Sequence, residues 1–213
     1  MIEPEFSLYA RHLPGGGLAH PPLADHLGRV RSNPNNPTGA LAAPDEQAAV
    51  WDEAFYPLAT GSWTRGDSQN GAWVVGSLTK LLACPGLRLG YVLAPDPDAC
   101  RRIAELQPRW ALAGIACAAL GDLLATVDLP RWSAEVAALR SSLVDLLAHH
   151  DIAVRPSEAN FVLADAPGLR ARLAPAGVVV RDCASFGLHG WSRIAVPAPA
   201  GLDRLAQALG STA

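Results

Sequence analysis

Ala72-Trp73-Val74-Val75-Gly76-Ser77-Leu78-Thr79-Lys80 and, a few residues on, Gly86-Leu87-Arg88-Leu89-Gly90-Tyr91-Val92-Leu93-Ala94 form the stretch from which the fold is read. Residues 72–75 and 89–94 are short apolar runs bounded by glycine and polar residues, the pattern of buried strands. Between them lies a loop carrying one amine, Lys80, and one guanidinium, Arg88. Two further segments stand upstream: Asn33-Pro34-Asn35-Asn36-Pro37-Thr38-Gly39, a turn-rich loop, and the acidic pair in Asp52-Glu53-Ala54-Phe55.

Outward from that stretch the pattern becomes helical and then mixed. Asp96 or Asp98 is placed to cap a helix running to about Leu106, with Pro97 near its first turn. Residues 111–127 read as a helix of small residues. Residues 130–150 read as a long amphipathic helix, because Val136, Leu139, Leu143, Leu146 and Leu147 recur at spacings of three and four. In the tail, residues 152–154, 160–163, 178–181 and 193–196 are strand candidates, and helices are expected at about 167–173 and 199–209. The N-terminal forty residues lack strong periodicity; turns are marked at Pro14-Gly15-Gly16-Gly17 and Pro21-Pro22. Residues 27–32, which lead into the asparagine-rich loop, make a poor buried strand. No internal repeat or low-complexity segment is present.

Composition narrows the function classes. The chain has 213 residues, 50% of them hydrophobic and 17% charged, which suits a globular chain of one or two domains. A net charge of -3 and a pI near 6.0 argue against a broad nucleic-acid footprint. No apolar run reaches membrane-spanning length; the longest, residues 111–125, is broken by Gly114, Gly121 and Asp122. Met1 to Phe6 shows no basic-then-apolar secretory pattern, so a cytoplasmic location is expected. Cys84, Cys100, Cys117 and Cys183 form no CxxC pair and are expected to be reduced thiols, mostly buried. No metal-ligand spacing stands out.

An NPTG turn or an SxxK occurs in many folds, but the order and chemistry of these segments together resemble the fold-type I pyridoxal-phosphate enzymes, the aminotransferase class I/II superfamily. The resemblance implies an α/β fold: a large domain with a mixed, mostly parallel sheet over residues 1–128, and a small C-terminal α/β domain over residues 129–213. It also implies pyridoxal 5'-phosphate as cofactor, with Lys80 as the catalytic amine that forms a Schiff base with the cofactor aldehyde. A lysine does this well when burial and nearby cations favour its neutral form. By the same resemblance Ser77 and Arg88 bind the cofactor phosphate, the guanidinium through paired hydrogen bonds. Asp52 hydrogen-bonds the pyridinium nitrogen and keeps the ring an electron acceptor. Asn36 hydrogen-bonds the ring hydroxyl. Phe55 stands where many aminotransferases place a tyrosine, and phenylalanine cannot donate to that hydroxyl.

A second resemblance lies near the C-terminus, in Arg181-Asp182-Cys183-Ala184-Ser185-Phe186 and Trp191-Ser192-Arg193-Ile194-Ala195-Val196. Histidinol-phosphate aminotransferases and cobalamin-pathway threonine-phosphate decarboxylases carry arginines in similar places, so Arg181 and Arg193 are implied to bind the anionic groups of a small phosphorylated amino acid or amino alcohol. The wording here, with Ser157-Glu158-Ala159-Asn160-Phe161 upstream, is similar to the decarboxylase branch, and Gln107-Pro108-Arg109-Trp110 points the same way. The resemblance implies a homodimer, with no nucleic-acid or membrane partner.

The chain also departs from the family. It resembles an N-terminally truncated member, beginning midway through the large domain; Met1 to Ala10 looks like the segment that follows the family's glycine loop. Asp52 stands only 16 positions after Asn36, leaving little for the helix that the family places there, although Ala48-Ala49-Val50-Trp51 suits a strand stub. Three readings stay open: a threonine-phosphate decarboxylase-like lyase, a histidinol-phosphate-type aminotransferase, and a shortened remnant without independent catalysis.

Overall fold

The computed structural model describes residues 29–211. The turns expected at 14–17 and 21–22, and the family-like segment of Met1 to Ala10, lie outside the described residues. Two four-stranded sheets organise the rest.

The first sheet has the order β1 (Val30–Ser32), β2 (Val50–Asp52), β3 (Trp73–Ser77), β4 (Gly90–Leu93). The pairs β1–β2 and β2–β3 are parallel, and β3–β4 is antiparallel with Ser77 opposite Gly90. This is the mixed, mostly parallel sheet that the sequence led us to expect. Residues 27–32 correct an expectation, since Val30–Ser32 does form a strand. Three residues suffice because Ser32 pairs with Asp52 and the backbone N–H of Asn33 continues the ladder to Asp52 O at 2.8 Å.

The crossover between β1 and β2 contains no helix. Polar contacts hold it instead: Arg31 Nε donates to Glu46 Oε1 at 2.8 Å, Arg65 Nη2 to Glu46 O at 2.8 Å, and Ala42 N to Asn33 Oδ1 at 3.0 Å. A small apolar core of Ala48, Trp51, Ala72 and Val74 closes beneath it. Trp51 is 1% exposed, with the Arg65 guanidinium 4.2 Å from its ring centre.

Short helices α1 (Tyr56–Thr60) and α2 (Leu78–Leu81) follow β2 and β3. Helix α3 (Pro97–Leu106) starts as expected, with Asp96 Oδ1 accepting from Ala99 N at 2.7 Å and Pro97 in the first turn. Helix α4 is Gly114–Ala125. The long helix α5 (Leu129–His149) is capped by Asp128, whose Oδ1 accepts from Arg131 N. Cys100 and Cys117 on α3 and α4 are exposed and only Cys183 is buried, which corrects the expectation of mostly buried thiols. Among the described residues no helix is long and apolar enough to cross a membrane.

The second sheet is antiparallel, in the order β5 (Ala153–Val154), β6 (Phe161–Asp165), β8 (Trp191–Ala195), β7 (Arg181–Asp182). Its inner face packs Val162, Ala164 and Ile194 against Leu143 and Leu147 of α5, Leu169 and Leu173 of α6 (Leu169–Leu173), and Leu205 and Leu209 of α7 (Pro199–Gly210). Each buried leucine or valine here is worth about 1.5–3 kcal/mol. Strand side chains alternate, so the opposite face of the same strands carries Phe161, Leu163, Arg193 and Arg181.

Candidate active site

Parallel α/β sheets present ligands at the carboxyl ends of their strands. At that edge of the first sheet Asn36 follows β1, Asp52 ends β2, and Ser77 ends β3 with Lys80 one helical turn on. Arg88 stands just before β4, and the antiparallel pairing of Ser77 with Gly90 brings it to the same edge. Five residues singled out in three separate segments therefore share one edge.

The loop that carries Asn36 is wired internally. Thr38 Oγ1 donates to Asn35 Oδ1 at 2.7 Å, Gly39 N to Asn35 O at 2.7 Å, and Asn36 N to Ser32 Oγ at 2.9 Å. Gly39 has φ +82°, and a Cβ there would lie 2.0 Å from Ser157 Oγ, so only glycine lets the loop seat against the connection between β5 and β6. Glu158 N completes the seam by donating to Gly39 O at 2.9 Å.

Across that seam Arg193 of β8 reaches Asn36: its Nη1 donates to Asn36 Oδ1. The Arg193 guanidinium also lies 4.8 Å from the ring centre of Phe161. Phe161 in turn meets Phe55 edge-on, at 5.1 Å between ring centres, and Lys80 Nζ lies 5.0 Å from the centre of Phe55. A continuous row runs from Lys80 through Phe55 and Phe161 to Arg193 and Asn36. Phe55 thus stands as an apolar wall beside the amine.

Electrostatics suit the amine to chemistry. Lys80 remains exposed, yet burial of its flank is the largest cause holding its pKa below the ordinary lysine value. Asp52 pulls that pKa up, while Arg88 and Arg193 push it down. One carboxylate and two guanidiniums are therefore near enough to tune the same amine. Arg193 is also held below the usual arginine value, first by burial and then by Arg181 nearby. Asp52 Oδ1 accepts from Ala54 N at 2.9 Å, which fixes its carboxylate at the strand end.

Arg181 stands directly opposite Arg193 across β7–β8. It makes a 3.3 Å hydrogen bond to Ser185 Oγ and lies over Phe186. Both arginines line an open cavity of about 670 Å³, together with Arg170.

Sequence reasoning missed Phe161 and Gly39 as site-forming residues, because their roles depend on contacts between distant segments. It also missed Glu53, which is fully buried: Oε1 accepts from Arg65 N at 3.1 Å, and Oε2 has no hydrogen-bond partner. Its carboxyl is pushed up chiefly by burial. One signal was available for Lys80, since it is the only lysine in the chain. Among the described residues no cluster of His, Cys, Asp or Glu is suited to a metal ion.

Comparison with known proteins fixes the family. The model of aminotransferase class I and II matches residues 30–209. The chain belongs to that family. The threonine-phosphate decarboxylase of Salmonella typhimurium is 32% identical over 202 residues, covering 83% of this chain and 55% of that protein. A histidinol-phosphate aminotransferase of Halobacterium salinarum is 32% identical over 199 residues, covering 78% of this chain and 51% of that protein. The crystal structure of L-threonine-O-3-phosphate decarboxylase from Porphyromonas gingivalis superposes with a TM-score of 0.68 at 25% identity, over 85% of this chain and 63% of that one. The chain thus spans about half the length of the curated relatives that it matches. Members of this class I/II family depend on pyridoxal 5'-phosphate.

The donor set fits that cofactor. An amine held below its ordinary pKa, a carboxylate within its field, and a hydroxyl and a guanidinium at the same strand edge are what an aldehyde, a pyridinium and a phosphate respectively require.

Proposed function

We propose that the chain carries the pyridoxal-phosphate site of an enzyme acting on a small phosphorylated amino acid, with threonine-phosphate decarboxylation as its reaction and a role in cobalamin biosynthesis. The observation that carries this reading is the meeting of Asn36, Asp52, Ser77, Lys80 and Arg88 at one strand edge, joined to Arg193 of the second sheet through Asn36 and through the Phe55–Phe161 pair. In this reading Lys80 anchors the cofactor covalently, Asp52 faces its ring nitrogen, and Ser77 and Arg88 hold its phosphate. Asn36 serves the ring hydroxyl through its amide nitrogen, because its carbonyl oxygen is engaged by Arg193. Residues 1–128 form the cofactor unit and residues 129–213 the small unit, with Asp128 capping the helix that opens the second. The assembly is a homodimer, for which exposed Leu106, Trp110 and Ile115 offer apolar surface.

The bound cofactor supplies an electron sink for the bond broken at the substrate α-carbon. This chain's residues choose the bond. Arg193, fixed between Asn36 and Phe161, grips one anionic group, and Arg181 takes a second. Two anchors on one rigid sheet would fix how the substrate's α-carbon substituents are presented to the site. The Nζ of Lys80, with its pKa held down, is then available to take or return a proton at the α-carbon.

The histidinol-phosphate aminotransferase relatives favour a second reading, transamination at the same site. Incubation of the purified chain and cofactor with each substrate, scoring carbon dioxide release and amino transfer to 2-oxoglutarate, separates the two. Carbon dioxide from threonine phosphate supports the first reading. Exclusive amino transfer overturns it in favour of the second, and no turnover of either substrate leaves the chain a non-catalytic relative.

A further inference from the structure

Two like charges facing each other across paired strands destabilise a sheet unless something lies between them. Arg181 and Arg193 face each other in this way, and they line the same cavity of about 670 Å³ with Val179, Val180, Asp182, Ser185, Ala195 and Arg170. Arg170 enters from helix α6, where Leu169 and Leu173 on either side are locked into the core. That anchoring holds the backbone of Arg170 beside the cavity while its guanidinium stays exposed, with no ion pair or hydrogen bond to another described residue.

The charges of the cavity do not balance. Three guanidiniums and one carboxylate line it, and the carboxylate, Asp182, already has its Oδ1 occupied by the N–H of Ala184 at 2.8 Å. An excess of two positive charges remains. Arg193 is committed towards Asn36 and Phe161, so it serves the end nearest Lys80. Asn36, Phe161 and Lys80 do not line the cavity, so Arg193 stands at the boundary between it and the row that leads to the amine. Arg181 and Arg170 remain to neutralise a charge of minus two there. A phosphate monoester carries about that charge near neutral pH and offers three acceptor oxygens to two planar donors. A carboxylate, with a single charge and two oxygens, leaves one guanidinium unmatched.

We propose that Arg170 is a specificity-determining residue: with Arg181 it clamps the phosphate of a phosphomonoester amino acid or amino alcohol, so that the site selects a dianionic remote group over a carboxylate or a hydroxyl. This rests on the reading that Arg181 and Arg193 hold the substrate. It adds a third anchor and assigns it the phosphate.

The test is calorimetric binding of O-phosphothreonine and of threonine to the cofactor-free chain at pH 8, for wild type, Arg170→Ala, Arg170→Lys and Arg172→Ala. Arg172 lies on the same helix outside the cavity lining and controls for helix damage. Arg170→Ala is expected to weaken O-phosphothreonine by about tenfold to a hundredfold, the range for loss of a charge-assisted hydrogen bond. Threonine affinity stays unchanged, Arg170→Lys recovers part of the loss, and Arg172→Ala matches wild type. Equal affinity of wild type and Arg170→Ala for O-phosphothreonine overturns the proposal. So does a parallel loss for both ligands, or no preference of wild type for the phosphorylated one. Failure of the cofactor to attach at Lys80 while this binding pattern holds refutes the enzymatic reading and leaves the clamp intact.

Discussion

Replacing Gly39 by alanine tests whether the asparagine loop and the second sheet form one site. The residue has φ +82°, where an L side chain costs about 1–2 kcal/mol. Its new Cβ meets Ser157 Oγ at 2.0 Å and Ser157 Cβ at 2.8 Å, so the side chain of Ser157 must move. Overpacking of that kind adds about 1–3 kcal/mol. The expected destabilisation is therefore about 2–5 kcal/mol by urea unfolding. A double-mutant cycle with Ser157→Gly isolates the steric part. Ser157→Gly has its own cost of about 1–2 kcal/mol, because Oγ donates to Phe161 O at 2.6 Å and accepts from Ala159 N at 3.2 Å. The double variant should then be less destabilised than the sum of the singles by about 1–3 kcal/mol. Additivity within about 0.5 kcal/mol, or a Gly39→Ala cost below that figure, refutes the claim that the loop seats on Ser157.

Other outcomes follow from particular groups. Glu53 has its folded pKa raised above 4.5, so its contribution is fully present below the unfolded pKa and is lost as pH rises through the folded value; the stability of wild type minus that of Glu53→Gln should fall across that window, and a flat difference contradicts its burial as an acid. Asp52 raises the Lys80 pKa and Arg88 lowers it, so Asp52→Asn should move the titration of Lys80 down and Arg88→Ala should move it up, read by NMR of the reductively methylated amine; shifts of the opposite sign contradict the arrangement. Exposed Val75 and Val92 pair on the first sheet, and Leu106, Trp110 and Ile115 are exposed nearby in sequence, so concentration-dependent association on size exclusion is expected; a compact monomer that binds no hydrophobic dye contradicts it.

Local chemistry was legible in the sequence and long-range contact was not. Asp96 followed by Pro97, and the spacing of Leu143 and Leu147, announced α3 and α5 because caps and periodicity act within a few residues. Strand β1 was missed because three residues carry no period, and its support comes from β2 and from Glu46 far along the chain. The crossover without a helix was signalled by the short step of 16 positions from Asn36 to Asp52. At the site, the residue types of Asn36, Asp52, Ser77, Lys80 and Arg88 gave the chemistry. Their assembly through Phe55, Phe161 and the Gly39–Ser157 seam needed coordinates, since these contacts join segments about a hundred residues apart or more.

The proposed function stands or falls with Lys80 as the cofactor's covalent anchor. Its most direct test is borohydride treatment of the purified chain at saturating pyridoxal 5'-phosphate, followed by peptide mass spectrometry. Because Lys80 is the only lysine, any trapped lysine adduct must lie there, and the N-terminal amine is separated by peptide. A near-stoichiometric adduct on the Lys80 peptide is expected, absent in Lys80→Ala. An unmodified Lys80 peptide at saturating cofactor contradicts it.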